Sequence, residues 1–126
     1  QRARSYIFTT AGSPMVACAL SASLRLIAEG DARRHHLWQL TAQLRDGLAK
    51  SGWRLLPSPT AIQPLIVGDN QRALQLATAL YERGLWVPAI RPPTVPVGTA
   101  RLRISLTAAH QPTQVASLVD ALRELA

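Results

Sequence analysis

The sequence has a single cysteine, a single methionine and a single phenylalanine. A lone Cys18 cannot close an internal disulfide, which excludes a disulfide scaffold and makes a cytoplasmic protein the expectation. Set among alanines in a helical pattern, Cys18 reads as a small core residue rather than a nucleophile. Aromatic residues make up only 5% of the chain, too few and too scattered for the stacking strip of an RNA-binding module. Lysine is almost missing: of fourteen Lys and Arg residues, Lys50 is the only lysine. It sits at a helix end in Ala49-Lys50-Ser51-Gly52, where a cation stabilises the negative end of the helix dipole. Acidic residues are also few, and the formal charge is +7. No basic run is longer than two, so the excess makes no nucleic-acid footprint, and no nucleic-acid partner is expected. No apolar run approaches the ~18 residues of a membrane span, no secretory signal is evident, and no membrane partner is expected. A Gly-rich phosphate loop, a Ser-His-Asp set and a metal cluster are missing too. His35-His36 comes nearest to a metal pair, but neighbours on a helix point about 100° apart and no third ligand follows.

What is present centres on residues 86–110. Arg101 to Leu106 alternates strictly. Leu102, Ile104 and Leu106 therefore share one face of a strand, and Arg101, Arg103 and Ser105 share the other. Trp86 to Ile90 is also strand-like, but Pro88 lacks an N–H and places it at an edge or a bulge. Between the two runs, Arg91-Pro92-Pro93-Thr94-Val95-Pro96 carries three prolines, which fix φ and stiffen the loop. Such a loop is either a well-made connection or a device that holds Arg91 and Thr94 in place. Trp86 is expected to pack under it.

The remaining elements follow from periodicity and punctuation. Tyr6-Ile7-Phe8 is a short strand candidate. Thr9, Thr10 and Ser13 precede a helix opened by Pro14, with Ser13 placed to cap it. Free N–H groups at a helix start, with hydroxyls beside them, also suit an oxyanion. A second helix spans 32–50, with Leu37, Leu40, Leu44 and Leu48 as one stripe and Ser51-Gly52 as its stop. Residues 53–56 and 63–67 read as strands. Asp69 caps a helix carrying Ala73, Leu76, Ala77 and Leu80 on one face, and Gly84 ends it. Pro112 opens a last helix with the stripe Val115, Leu118, Val119 and Leu122. The order predicts an α+β fold, a small mostly antiparallel sheet covered by helices and preceded by long N-terminal helices. It divides the chain at 1–50 and 51–126.

Three segments carry a family resemblance. Residues 89–110, AIRPPTVPVGTARLRISLTAAH, are similar to the C-terminal signature of the α-oxoamine synthases, fold-type I enzymes that use pyridoxal 5'-phosphate (PLP). Residues 61–69 resemble the entry into the C-terminal domain of that family. Residues 6–11 resemble the segment that follows its cofactor lysine. The order is conserved along the whole chain, and the RPPTVP and GTARLR runs favour the branch that serves biotin biosynthesis. The resemblance implies a homodimeric, decarboxylating C-acyltransferase. It would condense L-alanine with pimeloyl-CoA or a pimeloyl carrier protein, with PLP as the electron sink. It implies substrate binding by Arg91, Thr94 and Arg103, and contact of Thr9 and Thr10 with the partner subunit's PLP phosphate.

The Schiff-base lysine motif of the family, its ring-stacking histidine and the aspartate for the pyridine nitrogen have no counterpart here. The 126 residues alone are therefore expected to be inactive, with no catalytic residue assigned. Taken without the resemblance, Arg101 and Arg103 could be exposed strand charges, and Thr94 could bond a neighbouring backbone group. Two other readings stand beside this one: an α-oxoamine synthase with a different amino acid or acyl group, and a free-standing basic α+β binding module.

Overall fold

A computed structural model describes Arg2, Ile7 and residues 12–126. Within residues 12–126, four helices and four strands follow one another: α1 (Pro14–Ala28), α2 (Asp31–Leu48), β1 (Arg54–Leu55), β2 (Ile62–Gly68), α3 (Asn70–Glu82), β3 (Ala89–Ile90), β4 (Ala100–Ser105) and α4 (Pro112–Glu124). Of the strand expected at Tyr6-Ile7-Phe8, only Ile7 is described, and its backbone is helical. Two compact units are present, 1–32 and 33–126.

In the first unit, α1 starts at Pro14, whose missing N–H is one the first turn would leave unpaired anyway. Ser13 occupies the N-cap position in extended backbone, but its side chain makes no cap bond. Its carbonyl instead accepts the first helical bond, from Ala17 N at 3.1 Å. No residue of α1 is buried, so Cys18 is exposed rather than a core residue.

The second unit is built on a four-stranded sheet in the order β1-β2-β4-β3, with every pair antiparallel. Leu102, Ile104 and Leu106 are buried as their alternation requires. Leu65 stands opposite Leu102 on the same face. Leu40, Leu44 and Leu48 of α2, Leu76 and Leu80 of α3, and Val115, Leu118, Val119 and Leu122 of α4 join them in one cluster. Three helices thus cover one face of the sheet. Each buried leucine stabilises this layer by roughly 2 kcal/mol of transfer free energy.

The ends of these elements have local causes. The Asp69 carboxylate accepts from Arg72 N at 2.7 Å, which starts α3. Gly84 takes φ 77, so Gly84 N reaches Tyr81 O and Leu85 N reaches Leu80 O, each at 2.9 Å. This paired closure needs a left-handed residue at that point. Pro112 is the first residue of α4, and Gln111 N donates to Gln114 Oε1 at 2.8 Å. β3 is the edge strand, shortened to two residues after Pro88, whose carbonyl still accepts from Arg103 N at 2.9 Å.

Candidate functional site

The sheet face away from the helices carries three arginines, Arg54, Arg101 and Arg103. Strand register puts Arg54 opposite Ile66, Ile66 opposite Arg101 and Arg101 opposite Ile90, which makes one row across all four strands. Arg103 follows two residues along β4, opposite Pro64, and is exposed. Arginine suits such a face because its fork can bind a carboxylate through two parallel bonds.

The proline loop leaves β3 at this same edge. Arg91 follows Ile90 directly, and Thr94 N donates to Arg91 O at 3.0 Å, closing a four-residue turn around Pro92 and Pro93. The peptide between those prolines is cis. Both Arg91 and Thr94 are exposed. The backbone bond ties them together, while their side chains remain on the surface. The structure therefore brings Arg91 and Thr94 into one turn, next to β4, whose face away from the helices carries Arg103.

Two features were not legible as a site. Arg54, on the short strand β1, joins the arginine row only through cross-strand register, which no local pattern reports. Arg101 is half-buried and is turned back on the loop's exit. Its Nε donates to Thr99 O at 3.0 Å, and its Nη2 donates to Thr99 Oγ1 at 3.1 Å. The Thr99 hydroxyl in turn donates to Pro96 O at 2.7 Å.

Trp86 does not pack under the loop; it is 84% exposed. Val87 takes the inward position, and alternation turns Trp86 and Pro88 outward. Trp86 lines an open cavity of about 340 Å³ with Arg83, His110 and Gln114, formed by the ends of α3, β4 and α4. None of Arg91, Thr94 or Arg103 lines it. Thr9 and Thr10 lie outside the described residues.

The remaining chemistry-bearing side chains serve the fold. His36 Nε2 meets His110 O at 3.0 Å, and His35 Nε2 meets Gln39 Nε2 at 3.1 Å, so the two histidines have separate partners. Lys50 is exposed just past α2, a helix of the covering layer, and so stands apart from the arginine face. The arginine face thus fits an anionic substrate group and itself carries no lysine. No helix among the described residues is long and apolar enough to cross a membrane.

Comparison with known proteins agrees with this architecture. The chain is 66% identical, over its whole length, to an 8-amino-7-oxononanoate synthase of Dechloromonas aromatica (strain RCB), of which it covers 33%. It is 64% identical over 98% of its length to the enzyme of the same name from Herminiimonas arsenicoxydans, of which it covers 32%. The chain thus spans about a third of the length of these relatives. Among solved structures, a Sphingomonas wittichii serine palmitoyltransferase superposes with a TM-score of 0.85 at 33% identity, over 97% of this chain and 31% of that one. A serine palmitoyltransferase from S. paucimobilis with a bound PLP–myriocin aldimine gives 0.83 at 32% identity, over 97% and 31%. The model of the class I and II aminotransferases matches residues 1–122. With the α+β layer and the matching order of elements, this establishes that the chain belongs to the class I and II aminotransferase family.

Proposed function

We infer that these residues form the C-terminal, substrate-anchoring part of an 8-amino-7-oxononanoate synthase. In this reading the parent enzyme condenses L-alanine with a pimeloyl thioester and releases CO₂ and the thiol. The observation that carries it is the exposed Arg91–Thr94 turn set beside Arg103, on the sheet face opposite the three helices. It gains weight from 66% identity to a synthase of that name. Residues 1–50 would lead out of the enzyme's large domain, and 51–126 would form its C-terminal domain.

Arg103 and Arg91 would hold carboxylate groups in a fixed orientation, because a planar guanidinium restrains both position and tilt. Thr94 would supply a hydroxyl at a turn whose backbone is already restrained, so little ordering is left to be done on binding. PLP, when bound, supplies the electron sink for decarboxylation and carbon–carbon bond formation. Its covalent lysine would come from the part of the parent outside these 126 residues. Thr9 and Thr10 would reach the PLP phosphate of the partner subunit in a cytoplasmic homodimer. The acyl donor would be either pimeloyl-CoA or a pimeloyl carrier protein.

The likeness to serine palmitoyltransferases, at TM-scores above 0.8, favours one second reading: a synthase that takes a different amino acid. Both are tested with the full-length protein. Thiol release is followed with L-alanine or L-serine and each pimeloyl donor, together with the cofactor band at about 400–430 nm. Preference for L-alanine is expected. Arg103→Ala should lower kcat/KM by roughly 100-fold, the loss of one charge-assisted anchor, while the band is retained. Turnover with L-serine alone would replace the first reading by the second. No turnover with either would remove both.

A further inference from the structure

We propose that Arg101 and Thr99 form a clamp that positions the Arg91–Thr94 turn, and that Arg101 itself binds no substrate. The inference rests on the reading of Arg91 and Thr94 as substrate-holding groups. Arg101 occupies the neck of the loop. Register sets it opposite Ile90, the last residue before Arg91. Its side chain folds back along its own limb to the loop's exit, bonding the carbonyl and the hydroxyl of Thr99. At this one residue the backbone pairs with the loop's entry strand and the side chain braces its exit.

The hydrogen-bond directions are consistent along the chain. The Thr99 hydroxyl has one proton, which goes to Pro96 O, so its lone pairs remain free to accept from Arg101. Thr99 N also donates to Pro96 O, at 3.1 Å. The carbonyl of Pro96, the last proline of the loop, is thus held by both donors of Thr99. The prolines stiffen the loop internally, but they lack N–H groups and can be fastened only through their carbonyls. That task falls to the residues after it. Arginine is suited to the role because one planar fork can reach two acceptors on a single residue, which a lysine ammonium does not do with fixed geometry.

The clamp also separates the roles of two arginines on one strand face. Arg101 is half-buried, with Nε and Nη2 engaged, whereas Arg103 is exposed two residues on. Of the two, Arg103 is the exposed one. Loosening the clamp should therefore leave the substrate-binding groups present but misplaced. Displacement on the ångström scale is costly for a reaction that depends on orientation.

The test uses the full-length protein with Thr99→Val, Thr99→Ser and Arg101→Gln. Valine keeps the shape of threonine and removes the hydroxyl; serine keeps the hydroxyl. Backbone hydrogen exchange is read over a peptide covering 91–99, and KM and kcat are measured alongside it. The clamp predicts faster exchange in Thr99→Val and Arg101→Gln but not in Thr99→Ser. It also predicts a KM increase of roughly tenfold in the first two, with the melting temperature and cofactor band held. Unchanged exchange in both variants would overturn the clamp. So would equal losses in Thr99→Val and Thr99→Ser. If the wild-type protein turns over none of the proposed substrates, the functional reading fails, and exchange still decides the clamp.

Discussion

Gln63 shows what a single side chain contributes to this fold. It is fully buried on the inward face of β2, between apolar neighbours. Its Oε1 accepts from Arg45 Nη1 at 2.6 Å, while its Nε2 donates to Thr60 O at 2.6 Å and to Ser58 O at 3.3 Å. One amide thus ties α2 to the turn that leads into β2. A buried polar group is tolerated when its bonds are made and costs about 1–3 kcal/mol for each partner left bare. Gln63→Leu keeps the bulk but strands the Thr60 carbonyl and one Arg45 donor. It should lower stability by about 2–3 kcal/mol, read as a shift in denaturation midpoint at constant slope in the full-length protein. A variant as stable as the wild type would mean that water satisfies the freed groups. Gln63 shares the strand face of Leu65, so alternation placed it inward, but nothing in the sequence near it names Arg45 as its partner. Trp86 is the converse case: its size suggests burial, while the neighbouring Val87 has already taken the inward position. Arg103 and Thr94 became candidates through the family resemblance; strand and turn position by themselves report only that both are exposed. The clamp was legible only in part. Arg101 could be assigned to a face, but a side chain that folds back two residues leaves no periodic trace.

At the scale of elements, the amphipathic stripes were readable almost residue for residue. Leu40, Leu44 and Leu48 of α2 are buried, as are Ala73, Leu76 and Leu80 of α3 and the four stripe residues of α4. Periodicity reports a face, however, and not what covers it. The contact of α2 with α4 therefore had to come from three dimensions. It is tight at Gly47, where an added Cβ would lie 2.8 Å from both methyl carbons of Val119. Arg123 fastens α4 at the same point, with two donors on Gly47 O at 3.0 and 2.7 Å. Gly47→Ala then sets two effects against each other. Helix propensity favours alanine by about 1 kcal/mol. Overpacking against a stiff, buried valine costs about 1–3 kcal/mol. The clash should win, with a net loss of about 1 kcal/mol. Val119→Ala opens the space that the new methyl needs, so the double variant should lose less than the two single losses combined. A double-mutant cycle checks this, and strict additivity would show that α4 moves away freely.

Each of the two units, taken by itself, presents one distinctive surface among its described residues. One is the arginine face already described. The other is α1, where Met15, Val16, Leu20, Leu24, Leu26 and Ile27 are all exposed. An apolar surface of this kind is larger than the scattered single side chains that ordinary proteins expose. The core of the second unit needs none of it, because every residue of the buried cluster lies between Leu40 and Leu122. A chain of residues 31–126 retains α2 from its first residue and the complete sheet. It should unfold cooperatively, with a melting temperature within about 5 °C of residues 1–126, and bind much less of a hydrophobic dye. A molten, dye-binding product would mean that the sheet and its three helices do not stabilise themselves. That outcome would also move the helical region before residue 31 from a surface in search of cover to a part of the core.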